Sequence, residues 1–170
     1  NIGGFLAMRD GKLAARCRDL LILHEGFPSY GGLAGRDLKA LAEGLRTIVR
    51  DDYLDARIRQ VWRFGNKLRS YSIPINEPIG GHAVYVDAGG LLPHIPREQF
   101  PGWALAVELY LEGGIRGIEL GSVAFAYQDE ETGEMHLPLM ELVRMAIPRR
   151  MYTQAHMDFV IQTYVRIRER

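Results

Sequence analysis

The residues able to do chemistry by themselves are few. Lysine occurs only at Lys12, Lys39 and Lys67, and the five histidines stand at His24, His82, His94, His136 and His156. No two histidines are spaced i, i+4 and no cysteine pair accompanies them, which argues against a zinc site. Cys17 is alone, so it forms no internal disulfide; set among Leu13, Ala14, Leu20 and Leu21 it reads as a buried helix thiol and fits a reducing, cytoplasmic setting. The glycines of Tyr30 to Gly35 suggest a phosphate-cradling loop only loosely, because no strand ends just before them and no Lys-Ser or Lys-Thr follows. No serine sits in a nucleophile elbow. Arg144 is different: it interrupts an apolar run with Val143, Met145 and Ala146 beside it. A planar guanidinium there can hold a carboxylate through two parallel hydrogen bonds, and it needs a partner wherever it is buried.

The elements that must position these groups belong to an ordinary globular sequence. Of 170 residues, 47% are apolar and 25% charged, enough for a core of one or two small domains. Lys plus Arg and Asp plus Glu both number 21, so no net field attracts nucleic acid or an acidic membrane surface. No apolar run approaches the roughly 18 residues of a membrane span, and no basic-then-apolar leader opens the chain. The opening from Asn1 reads as a turn running into a strand, so the sequence is expected to start inside a fold, as a fragment.

Gly3 to Arg9 predicts a strand closed by Asp10-Gly11. Helical spacing follows over 12–24, then a Gly- and Pro-rich loop from Glu25 to Gly35 that is apolar enough to pack against something. A helix is predicted from Arg36 to about Val49 with Leu38, Leu41, Ala42 and Leu45 on one face. A longer one runs from Asp51 or Asp52, either able to cap it, to Ser70, with Leu54, Ile58, Val61, Gly65 and Leu68 in register. The domain boundary is placed near residue 50. Beyond it, Ile73 to Pro78 is extended. Strands are predicted at Ala83 to Ala88, Ile115 to Leu120 and Glu141 to Ile147. Helices are predicted at Gln99 to Glu112 and from Thr153 to about Arg168, the last burying Met157, Val160, Ile161, Tyr164 and Val165. Ala126 to Leu137 is a polar turn. Strands interleaved with helices make an α/β layer domain.

Five longer strings carry a resemblance: Asn1 to Leu6, Glu25 to Asp37, Gly80 to Ala88, Leu92 to Pro96 and Ile147 to Asp158. In order and spacing they resemble the C-terminal part of the β-eliminating lyases, the tryptophanase and tyrosine phenol-lyase family, across essentially the whole chain. The resemblance implies an α/β enzyme of fold type I that uses pyridoxal 5'-phosphate. Residues 1–50 would end the large cofactor-binding domain, and residues 51–170 would form the connecting helix and the small C-terminal domain. It also implies a homo-oligomer, dimer or tetramer.

In such enzymes the amino acid displaces a lysine from the cofactor, loses its Cα proton to the ring as electron sink, and expels its β-substituent, leaving pyruvate and ammonia. The Schiff-base lysine of the family lies in a Ser-(Ala/Gly)-Lys-Lys-Asp string a few residues before the position of Asn1. None of the three lysines present matches it, so this chain alone is expected to be inactive. The resemblance gives Arg144 the substrate α-carboxylate, Tyr30 a proton-relay or pocket-wall role, Phe27 a substrate contact, and the Asn1 carbonyl a share of a potassium ion. Leu120 stands where tyrosine phenol-lyases carry an arginine for the phenol hydroxyl. With Ile118 it suits the apolar indole better, at a cost of roughly 1–3 kcal/mol to an unpaired hydroxyl. Gln154, where phenol-lyases often have tyrosine, points the same way. The expected activity is cleavage of L-tryptophan to indole, pyruvate and ammonia. The alternatives are tyrosine phenol-lyase, another fold-type-I enzyme such as an aminotransferase, or a folded module without catalysis.

Overall fold

The computed structural model describes residues 3–27, 29 and 31–169. The chain divides into two units, one running to Leu54 and the other starting at Asp55.

The first unit holds helix α1, Gly11–Glu25, and helix α2, Gly35–Ile48. Asp10 starts α1 by accepting hydrogen bonds from the backbone N–H groups of Lys12 at 2.8 Å and Leu13 at 3.2 Å, which satisfies two of the donors a helix leaves open. Neither helix buries a residue. Cys17 is accordingly half-buried rather than buried, a correction to the expectation of a core thiol. The strand predicted over Gly3 to Arg9 does not form: the segment pairs with no strand among the described residues, and Leu6 is 80% exposed. Alternation supplies a face for a strand but not a neighbour to complete its ladder. In the following loop Leu33 reaches back to this segment, its Cδ1 lying 2.6 Å from where a Cβ on Gly3 would stand.

Helix α3, Asp51–Ser70, opens with Asp51 and Asp52 inside its first turn, where they favour the positive helix end. Asp52 there accepts two hydrogen bonds from Arg50, at 3.1 and 2.7 Å. The second unit continues with strand β1, Ala83–Asp87, the short helix α4, Ala88–Leu91, helix α5, Pro101–Gly113, and strand β2, Ile118–Leu120. Next come the one-turn helix α6, Ser122–Phe125, and a hairpin of β3, Tyr127–Gln128, with β4, Met135–His136. Strand β5, Leu142–Ala146, and helix α7, Gln154–Arg168, complete it. The stretch expected as a plain polar turn is therefore a hairpin, with Asp129 Oδ1 accepting from the N–H groups of Glu131 and Thr132 at its tip.

The sheet order is β1-β5-β2, and both pairings are antiparallel. One face carries Val84, Val86, Val143 and Met145, which join Val61, Phe64 and Leu68 of α3, Leu105 and Leu109 of α5, and Met157, Ile161, Tyr164 and Ile167 of α7 in a single core. Each such side chain contributes about 1.5–3 kcal/mol when removed from water. This is a mixed α/β unit with helices packed on an antiparallel sheet. No helix among the described residues is long and apolar enough to cross a membrane.

Candidate functional site

β5 is the middle strand, and its register sets the site. Arg144 is the partner of Tyr85 on β1 and of Ile118 on β2, so the three side chains share one sheet face. One step along, Leu142 is the partner of Asp87 and of Leu120, which places Leu120 on that face as well. This is the face opposite the core. Tyr85, Arg144 and Leu120 are half-buried there, and Ile118 is 47% exposed.

Arg144 has a buried Nε that meets no hydrogen-bond partner among the described residues. A guanidinium N–H shut away from water and left unpaired is costly, and a carboxylate bound by the fork of Nε and a terminal nitrogen removes that cost. The orphaned donor therefore fits an anionic group bound on this face, with Ile118 and Leu120 offering an apolar wall beside it.

Two buried carboxylates hold the wall in place. Glu141, immediately before β5, accepts at Oε1 from the N–H of Ser122 at 2.8 Å and from the Ser122 hydroxyl, and at Oε2 from the N–H of Gly102 at 3.3 Å. Glu119 of β2 accepts from the N–H groups of Val123 at 3.2 Å and Ala124 at 3.0 Å. Both acids thereby cap helix starts, and Glu141 also ties β5 to α5 and α6. Gly121 is required between them: a Cβ there would lie 2.4 Å from Glu141 Oε2 and 2.7 Å from Glu119 Oε1. Burial raises the Glu119 carboxyl above its ordinary value; the Val123 N–H opposes this and the Glu141 charge adds to it.

Of the residues read from sequence, the structure brings together Arg144, Ile118 and Leu120. Phe27 lies in the first unit, in the loop after α1, 54% exposed. Tyr30 and Asn1 fall outside the described residues. His156 is in the first turn of α7, where it closes a capping box with Thr153. Among the described residues no group of three or more His, Cys, Asp or Glu could hold a metal ion. Sequence reasoning missed Tyr85 and the pair Glu119 and Glu141. The signal for the acids was present, since each sits in or next to an apolar strand. Tyr85 was not findable, because the pairing of β1 with β5 is not written in either strand.

The described residues fit an anionic group such as a carboxylate but supply no lysine to hold the aldehyde of pyridoxal phosphate. Lys12, Lys39 and Lys67 are exposed on α1, α2 and α3, and none belongs to the sheet that carries Arg144. The Lys67 ammonium lies 5.4 Å from the Tyr71 ring centroid.

Comparison with known proteins places this geometry in context. The family described as beta-eliminating lyase matches residues 1–163. A tryptophanase from Salinibacter ruber is 53% identical over 164 residues, covering 96% of this chain and 34% of that protein. A tyrosine phenol-lyase from Nostoc punctiforme is 52% identical over 162 residues, covering 95% of this chain and 34% of that protein. A tyrosine phenol-lyase from Pasteurella multocida is 48% identical over 167 residues, covering 98% and 36% respectively. The chain thus spans about a third of the length of the curated relatives it matches. With its match running from the first residue to within a helical turn or two of the last, the chain belongs to the beta-eliminating lyase family.

Proposed function

We propose that this chain supplies the substrate-carboxylate side of a pyridoxal-phosphate-dependent lyase that cleaves L-tryptophan to indole, pyruvate and ammonia. The observation that carries the reading is the buried Nε of Arg144, unpaired among the described residues, at the centre of the open sheet face. Binding the α-carboxylate there fixes which Cα bond faces the cofactor, a positioning effect. Ile118 and Leu120 form an apolar wall that leaves a phenol hydroxyl unpaired and accepts an indole, the specificity difference expected of an apolar pocket. Residues 1–50 then belong to the large domain of a fold-type-I enzyme and residues 51–170 to its connecting helix and small domain, in a homo-oligomer. Tyr30, Phe27 and the Asn1 carbonyl, with a potassium ion, complete the reading. The lysine that holds the cofactor is not among the described residues, and no step of the reaction is assigned to them beyond binding and orientation.

The similar identities to a tryptophanase and to tyrosine phenol-lyases do not separate the two substrates, so the apolar character of Leu120 is what favours indole. The test joins this chain to the portion of the Salinibacter ruber tryptophanase that it does not span, and measures indole, phenol and pyruvate from L-tryptophan and L-tyrosine with added pyridoxal phosphate. Indole with pyruvate is expected. Phenol as the main product would establish the other activity, and no pyruvate from either amino acid would overturn the lyase reading.

A further inference from the structure

A cavity of about 490 Å³ in the second unit has no part in the site above, and Arg144 is not among the residues that line it. Its volume is in the range of small-molecule sites, roughly 300–1,000 Å³. Phe64, Ile147 and Met157 give it an apolar floor, and all three are core residues that packing holds in place. Three polar side chains also line it, Tyr152 and the two that carry nitrogen donors, Arg116 and His156.

Both are available to a ligand. Arg116 is exposed and makes no ion pair or hydrogen bond among the described residues. His156 Nδ1 accepts the backbone N–H of Thr153 at 3.1 Å and lies 2.9 Å from the Thr153 hydroxyl. A ring nitrogen that accepts carries no proton, so the capping box assigns the hydrogen of the neutral imidazole to Nε2 and leaves that N–H as a donor. The Tyr152 ring lies 5.6 Å from the imidazole, and its backbone carbonyl accepts a hydrogen bond from Gln60 at 2.8 Å, tying the loop before α7 to α3.

We infer that this cavity is a second binding site, for a small monocarboxylate with an apolar tail, the carboxylate on Arg116 and His156 and the tail against Phe64, Ile147 and Met157. One guanidinium and one imidazole N–H match a single carboxylate. The apolar floor excludes a ligand charged at both ends. The inference does not depend on the lyase reading.

The test titrates the isotope-labelled chain with 3-phenylpropanoate, and separately with its uncharged amide, following backbone amide shifts. Saturable shifts at Gly114, Arg116, Ile147 and His156 are expected, with the amide weaker by about tenfold or more. Arg116→Met weakens the carboxylate to the level of the amide, and Ala155→Phe, which fills the cavity, abolishes both. The inference is overturned if no saturable shift occurs at these residues, if the amide binds as well as the carboxylate, or if Arg116→Met leaves carboxylate binding unchanged.

Discussion

Helix α2 and helix α7 both carry apolar residues at helical spacing, yet α2 buries none of its residues while α7 buries Met157, Ile161, Thr163, Tyr164 and Ile167. The contrast extends to the two units. In the first, Leu13, Leu20, Leu21, Leu38 and Leu45 are exposed. In the second, residues from four helices and two strands close one core. Periodicity marks which face of a helix is apolar, and only another element decides whether that face leaves water. The second unit has the sheet to do this; in the first, the described residues form no strand.

The sharpest way to break this comparison is to truncate one leucine from each unit. Leu109→Ala in the core is expected to destabilise the second unit by about 2–5 kcal/mol, the cost of lost burial and a residual cavity. Leu20→Ala on α1 is expected to shift stability by no more than about 0.5 kcal/mol. Urea denaturation of both variants checks this, and equal losses would contradict it.

A second contrast lies within the sheet, between its core face and its open face. Leu120→Arg, on the open face, is expected to leave folding nearly intact. In the joined protein it shifts selectivity from indole toward phenol by about 1–3 kcal/mol, by giving the hydroxyl a partner. Product ratios from the two amino acids measure it. On the core face, Glu119→Gln acts through pH. Burial holds the Glu119 carboxyl above its ordinary 4.5, so the folded chain binds that proton more tightly than the unfolded chain does. Its stabilising contribution is full below that ordinary value and is lost as pH rises through the raised one. Glu119→Gln should therefore shrink the difference in stability between about pH 4 and about pH 7, read from urea midpoints. An unchanged difference would show that Glu119 does not carry it.

Much of this was legible in the sequence, and what was not has physical causes. The long helix from Asp51 to Ser70 was readable because its apolar positions repeat over five turns. α7 was readable for the same reason, although Ile167 is buried where Val165 was expected to be, the stripe turning with the helix. The strand expected over Gly3 to Arg9 does not form, since a strand exists only with a partner and alternation does not supply one. The hairpin from Tyr127 to His136 was hidden because its strands are two residues each and too short to show alternation. Arg144 stood out as a cation in an apolar strand. That Ile118 faces it on one side and Tyr85 on the other depends on register, which is fixed by the assembled sheet and by the anchoring of Glu119 and Glu141.

The central claim is that Arg144 holds the α-carboxylate of the amino acid. Its most direct measurement is kcat/KM for L-tryptophan in the joined protein with Arg144→Gln, alongside cofactor absorbance. The predicted result is a fall of about 10²–10³-fold, the cost of removing one member of a desolvated charge pair, with cofactor binding unchanged. An Arg144→Gln enzyme that keeps its kcat/KM would contradict the account.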